Sequence, residues 1–218
     1  MSQLVFEFPF KTKYYEQDFY VSSNNFSAYK LIESWPNWPG KWLNVFGARG
    51  SGKTHLSKIL EKKIKTVKLI EAENIDNKTI ERLEDFECLI IDNYNNNIKE
   101  ELFYSILNQS KQLENYIVVN TIPSIRKFNF VLKDLESRIN SFVYIGIELP
   151  TDDLLQVIIS KSFSDRQISL NPKISDYIIK NVERSYEKMF KFLKDIDEMS
   201  LSTGKSININ LIKKVLNK

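Results

Sequence analysis

Only one cysteine, Cys88, and one histidine, His55, occur among the 218 residues. A single thiol excludes an internal disulfide and fits a reducing cytoplasm. One His and one Cys also cannot build a zinc site alone. No apolar run approaches the roughly 18 residues that span a bilayer, and Met1-Ser2-Gln3 opens no signal peptide. Excess charge is lacking too: 31 Lys and Arg against 28 Asp and Glu leave +3 at pH 7. With no dense basic block, that is too little to argue for nucleic acid. Glycine is sparse, six in all, yet three fall within eight residues. The remainder is an ordinary soluble composition, long enough for one domain and a smaller second one.

The crowded glycines belong to Gly47-Ala48-Arg49-Gly50-Ser51-Gly52-Lys53-Thr54. An apolar run over 42–46 precedes this octapeptide and a helical pattern over 55–64 follows it. Strand, glycine-rich loop and helix start are the context of a phosphate-binding P-loop. Gly47, Gly50 and Gly52 let the backbone turn several N–H groups onto one anion, with Ser51 and His55 beside them. The helix N-terminus adds partial positive charge at that point. Lys53 is placed for β- and γ-phosphates, and Thr54 for Mg²⁺. ADP or ATP with Mg²⁺ is therefore the expected ligand. The plain alternative is a glycine-rich turn.

Around this unit, strands and helices alternate. Strands are expected over 66–71, 86–91, 116–119 and 142–147, and helices over 25–33, 77–84, 98–113 and 130–139. The run over 86–91 is apolar on both faces, which suits a parallel sheet covered on both sides. Residues 93–97 read as a polar loop. From 150 the pattern is helical only, with stripes at Leu154/Ile158/Ile159, Ile174/Tyr177/Ile178, Met189/Phe190/Leu193 and Leu211/Ile212/Val215. The expected fold is an α/β doubly wound, five-stranded parallel sheet at 11–149 with a small helical lid at 150–218. Residues 1–10 form a separate apolar segment. It reads equally as an edge strand or as an extended peptide that docks through Gln3, Leu4, Phe6 and Phe8.

Leu89-Ile90-Ile91-Asp92 is an apolar strand ending in an acid, one strand-helix-strand unit after the P-loop. Such an acid holds Mg²⁺ through an ordered water. The next residue, Asn93, cannot accept a proton at neutral pH, so a second acid that would prepare the attacking water is missing there. Tight nucleotide binding with weak or no turnover by the isolated chain is expected.

Together Gly52-Lys53-Thr54-His55-Leu56, Phe19 and Val21 after Asp18, Asn25 with Ala28, and Trp35-Pro36-Asn37-Trp38-Pro39-Gly40 resemble the bacterial DnaA-related AAA+ proteins, and among them the short Hda-like regulators. The resemblance covers nearly the whole chain. It implies that residues 3–8 are a peptide that binds the sliding clamp. It implies that Ser137-Arg138 matches the family's Ser-Arg motif, whose arginine acts on a neighbouring subunit's nucleotide. Arg184 matches the sensor II arginine of the lid, and Asn120 and Thr121 lie where the family has its sensor I. Ser22 stands where a glycine is frequent near the adenine. The implied activity is regulatory inactivation of the initiator DnaA, in the cytoplasm, with homo-oligomers possible and no membrane contact. No sequence follows Lys218 to build the initiators' DNA-binding domain, so sequence-specific DNA binding is not expected. A self-sufficient ATPase such as a helicase loader, and a DNA-binding initiator relative, are the alternatives.

The chemistry of a trans-acting arginine stands apart from any resemblance. A guanidinium keeps its proton in a protein and presents a planar fork to phosphate oxygens. Supplied to another subunit, it neutralises charge developing in phosphoryl transfer. The competing reading for Arg138 is a surface ion pair with Asp134 or Glu136, worth little. For Arg184 it is a pair with Glu187 on its own helix.

Overall fold

The computed structural model describes residues 19–165, 168, 170–204 and 206–216. They fall into two compact units that part between Glu148 and Leu149. Gln3, Leu4, Phe6 and Phe8 lie outside the described residues.

The first unit opens with α1 (Phe26–Glu33) and β1 (Trp42–Gly47), then α2 (Lys53–Glu61), β2 (Val67–Glu71) and α3 (Asn77–Glu81). It continues through β3 (Cys88–Tyr94), α4 (Glu100–Gln112), β4 (Tyr116–Thr121), α5 (Lys133–Ile139) and β5 (Val143–Ile147). The five strands run parallel, as the sequence pattern leads one to expect, and lie in the order β2-β3-β4-β1-β5.

Alternation along each strand splits the core into two layers. Leu43, Val45, Ile90 and Val118 point to one face, where Ala28 and Ile32 of α1 and Leu56, Ile59 and Leu60 of α2 cover them. Leu89, Ile91, Ile117 and Val119 point to the other, against Phe103, Ile106 and Leu107 of α4 and Leu135 and Ile139 of α5. Each such side chain, fully buried, contributes about 1.5–3 kcal/mol. Cys88 sits in the first of these layers, and burial pushes its thiol pKa well up.

Among the boundaries that differ from the sequence expectation, three have a clear physical reason. β3 runs through Asn93 to Tyr94, where a polar loop was expected. A register shift between Ile91 and Tyr94 accommodates this, and the Tyr94 ring is buried against Phe103 at 5.1 Å. The helix expected over 77–84 stops at Glu81, and a 3₁₀ turn, Leu83–Asp85, follows. The last helix of this unit begins at Lys133 rather than at 130. The Glu100 carboxylate accepts from the backbone N–H groups of Val131 at 3.1 Å and Leu132 at 2.7 Å, holding them outside the helix.

The second unit contains α6 (Asp152–Ser164), α7 (Pro172–Asn181), α8 (Tyr186–Thr203) and α9 (Ile209–Leu216). Side chains start all four: Thr151 accepts from Leu154 N–H, Asn171 from Lys173 N–H, Ser185 from Lys188 N–H, and Asn208 from Leu211 N–H. Pro172 is pre-set for the first turn of α7, and Gly204, at φ 63°, ends α8. Leu155, Ile159, Phe163, Ile178, Leu193 and Ile212 are among the residues of its core. On α8 the buried row is Met189, Phe192, Leu193 and Ile196, whereas Phe190, expected inside, is exposed. No helix among the described residues is long and apolar enough to cross a membrane.

Candidate functional site

Ordinary side chains would not survive in the loop between β1 and α2. Gly50 and Gly52 have φ of 78° and 97°, in the left-handed region that favours glycine. A Cβ on Gly52 would stand 2.9 Å from the Phe19 ring, and one on Gly47 would stand 2.9 Å from both the Ile147 carbonyl oxygen and Ser51 Oγ. The loop is thus drawn tight between Phe19 and the end of β5. His55, in the first turn of α2, meets the Phe19 ring edge-on at 5.2 Å. Phe19 as a wall of the loop was not foreseen; an aromatic residue just before a helix carries no such signal.

Lys53 bends back over the loop, where its Nζ donates to the carbonyls of Gly47 at 2.7 Å and Ala48 at 3.0 Å. Burial lowers its pKa, the nearby Asp92 carboxylate opposes that shift, and Arg49 adds to it. The Ser51 hydroxyl is buried without a hydrogen-bond partner among the described residues. An orphaned buried hydroxyl beside a buried ammonium and a glycine turn fits an anion that supplies the missing acceptor.

Asp92 is the hub beside the loop. Its Oδ2 accepts from Thr54 Oγ1 at 2.7 Å, and its Oδ1 accepts from Asn93 N–H at 3.0 Å and from Asn120 Nδ2 at 3.0 Å. Asn120 Nδ2 also donates to Ser57 Oγ at 2.8 Å, while its Oδ1 is buried and unpartnered among the described residues. The structure therefore brings Thr54, Asp92 and Asn120 together. Thr121 is spent elsewhere: with the Val119 carbonyl it accepts from Asn44 Nδ2, and Asn44 Oδ1 takes the Ile125 N–H. Neither Ser57 nor Asn44 was foreseen, because a lone Ser or Asn in a helix or strand looks like any other.

Asn93 turns away from this hub. At φ 55° its side chain reaches sideways, and Nδ2 donates to Glu71 Oε2 at 2.8 Å. The ladder sets this up, since Glu71 and Asp92 are register partners on β2 and β3. Glu71 is thus a carboxylate in direct contact with the side chain that stands where a second acid is missing.

Arg138 lies at the opposite end of the sheet. It occupies the last turn of α5, and its Nε donates to Asn108 Oδ1 of α4 at 2.8 Å, so it does not form the ion pair with Asp134 or Glu136 considered above. It shares a cavity with Lys41 and Trp42, at the start of β1, whereas the P-loop leaves the end of that strand. Six residues of β1 separate the two by roughly 17 Å at about 3.3 Å per residue. In the second unit, Arg184 precedes α8 instead of lying on it. Its guanidinium pairs with Asp152 at the start of α6 rather than with Glu187, and both side chains are exposed.

Residues 152–216 match the family described as Hda, lid domain. The chromosomal replication initiator protein DnaA of Buchnera aphidicola subsp. Baizongia pistaciae is 28% identical over 247 residues, covering 99% of this chain and 53% of that protein. The chain thus spans about half the length of the curated DnaA relatives it matches. Domain III of Thermotoga maritima DnaA superposes with a TM-score of 0.76 at 18% identity, covering 96% of this chain and 98% of that one. AMPPCP-bound DnaA from Aquifex aeolicus does so at 0.67 and 20% identity, covering 88% and 67%. Fold, relatives and lid together make the chain similar to the DnaA-related AAA+ proteins, with a C-terminal unit that matches the Hda lid family.

Proposed function

We propose that this chain is a nucleotide-holding regulator of replication initiation that completes a reaction centre on another protein. Its P-loop holds ADP or ATP through Gly47, Gly50, Ser51, Gly52, Lys53 and Thr54, with His55 alongside. The AMPPCP held by the similar Aquifex protein supports that reading. Were Mg²⁺ bound, Thr54 and Asp92, which hydrogen-bond each other at 2.7 Å, would be the residues to hold it, and the ion would supply positive charge to the phosphates. One hydroxyl and one carboxylate are too few ligands alone, so phosphate oxygens and waters complete the shell.

The observation that carries the regulatory reading is the place of Arg138. It stands a full strand length from its own P-loop, so a phosphate it touches belongs to another subunit. We assign that nucleotide to ATP on DnaA and assign residues 3–8, through Gln3, Leu4, Phe6 and Phe8, to the sliding clamp on DNA. Arg138 then stabilises charge developing on DnaA's ATP, an effect worth roughly 10³–10⁵ in rate for such arginines. The initiator is left in its ADP form, and re-initiation is prevented.

The test mixes ATP-loaded DnaA, DNA-loaded clamp and this chain, and times phosphate release. Arg138→Ala should leave nucleotide and clamp binding intact and abolish the stimulation. Stimulation that persists in this variant rules the assignment out. Removing residues 3–8 should abolish clamp association alone. One observation favours a rival, an ATPase that needs no partner: Glu71 stands beside Asn93 as a spare carboxylate. Brisk steady-state turnover by the purified chain, lost in Glu71→Gln, would establish that rival.

A further inference from the structure

At the strand-start end of the sheet, a cavity of about 350 Å³ opens beside Arg138. Lys111 of α4 and Arg138 of α5 line it, with Ser110, Ser141 and Trp42 around them. The Trp42 indole N–H is already bound to Ser110 Oγ at 3.1 Å, so this wall is fixed and not free to collapse. Two further charged residues, Lys41 and Glu114, also face the cavity, and they neutralise each other in an ion pair at 3.0 Å. Lys111 makes no ion pair or hydrogen bond among the described residues, and Arg138 spends only its Nε, on Asn108. The unspent donors are therefore one ammonium and the terminal fork of one guanidinium.

A plainer account makes these two cations partners of helix ends. Lys111 lies in the last turn of α4 and Arg138 in the last turn of α5. Each helix terminus offers about half a negative charge, against a full positive charge on each side chain. Roughly one net positive charge is left facing the cavity.

We propose that this cavity is a binding site for a phosphate-class anion, in which Lys111 is a second cation acting with Arg138. The guanidinium fork takes two oxygens of one phosphate side by side. The ammonium, a compact point charge on a flexible stem, meets the oxygens the fork leaves over. Ser141 offers a hydroxyl at the rim, whereas the Ser110 hydroxyl is spent on the Leu107 carbonyl at 2.9 Å. The site stands on the cavity itself. Only the source of its anion, a nucleotide carried by another subunit or a free polyphosphate, rests on the function proposed above.

Two measurements separate these sources. In the first, the P-loop is silenced by Lys53→Ala, or filled beforehand with ADP, and tripolyphosphate is titrated calorimetrically. A free-anion site gives saturable one-to-one binding that weakens about tenfold on adding Lys111→Gln, the order of one charge-assisted hydrogen bond. In the second, Lys111→Gln is placed in the reaction with ATP-loaded DnaA, clamp and DNA. A subunit-borne anion gives stimulation lowered about tenfold, with clamp binding and the melting temperature unchanged. An effect in the first measurement alone assigns the site to a free anion, and an effect in the second alone assigns it to a nucleotide on the partner. If Lys111→Gln changes neither, the site is overturned. If Arg138→Ala leaves DnaA's hydrolysis untouched while tripolyphosphate still binds through Lys111, the regulatory function fails and the anion site stands.

Discussion

Lys53 is a costly residue for the empty protein. Its ammonium is buried against carbonyls, and burial lowers its pKa from the ordinary 10.5. In the unfolded chain the same group keeps its ordinary value. The folded state therefore bears a cost at pH values below the lowered folded pKa, and this cost fades as pH rises from there toward 10.5. Lys53→Met should raise the melting temperature of the nucleotide-free chain at pH 7 by about 2–4 °C, the shift expected of about 1 kcal/mol. The gain should shrink as pH rises toward 10.5, and nucleotide should no longer stabilise the variant; calorimetry across pH reads both. Asn93 poses the opposite case, a residue suited to its strained backbone. At φ 55° an alanine is penalised where asparagine is tolerated. Asn93→Ala should cost about 1 kcal/mol in urea unfolding, and Asn93→Gly less. At this scale the sequence was legible wherever spacing encoded chemistry, as in the octapeptide ending at Thr54. It was silent on Ser57, Asn44 and Phe19, whose parts depend on which strand or loop the fold brings to them.

Elements were readable where their periodicity was strong. The strands packed on both faces, such as the apolar heart of β3, stood out because nothing polar interrupts them. Ends were harder. Tyr94 is as buried as any core residue, yet it follows two polar letters, and only the register shift after Ile91 lets it fold inward. On α8 a shift of two positions exchanges Phe190 for Phe192, because both satisfy a loose helical stripe while only one faces the lid core. That distinction is testable. Phe192→Ala should destabilise the lid by about 3–5 kcal/mol, as large aromatic truncations in cores do. Phe190→Ala should change it by under about 0.5 kcal/mol, as exposed sites do. Hydrogen exchange of α8 and α9 amides measures both. Ser185→Ala removes the cap on the Lys188 N–H and should cost about 1 kcal/mol, seen first as faster exchange in the opening turn of α8.

The whole sheet-bearing unit has a polarity, and parallel strands are its cause. Every strand finishes at the nucleotide loop's end and starts at the end that carries Lys111 and Arg138. Nucleotide should therefore stabilise the molecule without altering access to Arg138. Saturating ADP at a hundred times its dissociation constant should add about 2.7 kcal/mol to stability, and Arg138→Ala should show the same increment. A smaller increment in that variant would mean that the two ends communicate.

On the function proposed above, with phosphate received at one end and cations offered at the other, the molecule would not pair with its own kind face to face through those surfaces. Contacts made this way are head-to-tail, and unless rotation closes them into a ring they propagate as an open row. On the same reading, it would cap such a row of initiators from one side only. Its effect would then scale with the number of exposed row ends rather than with the number of initiator molecules.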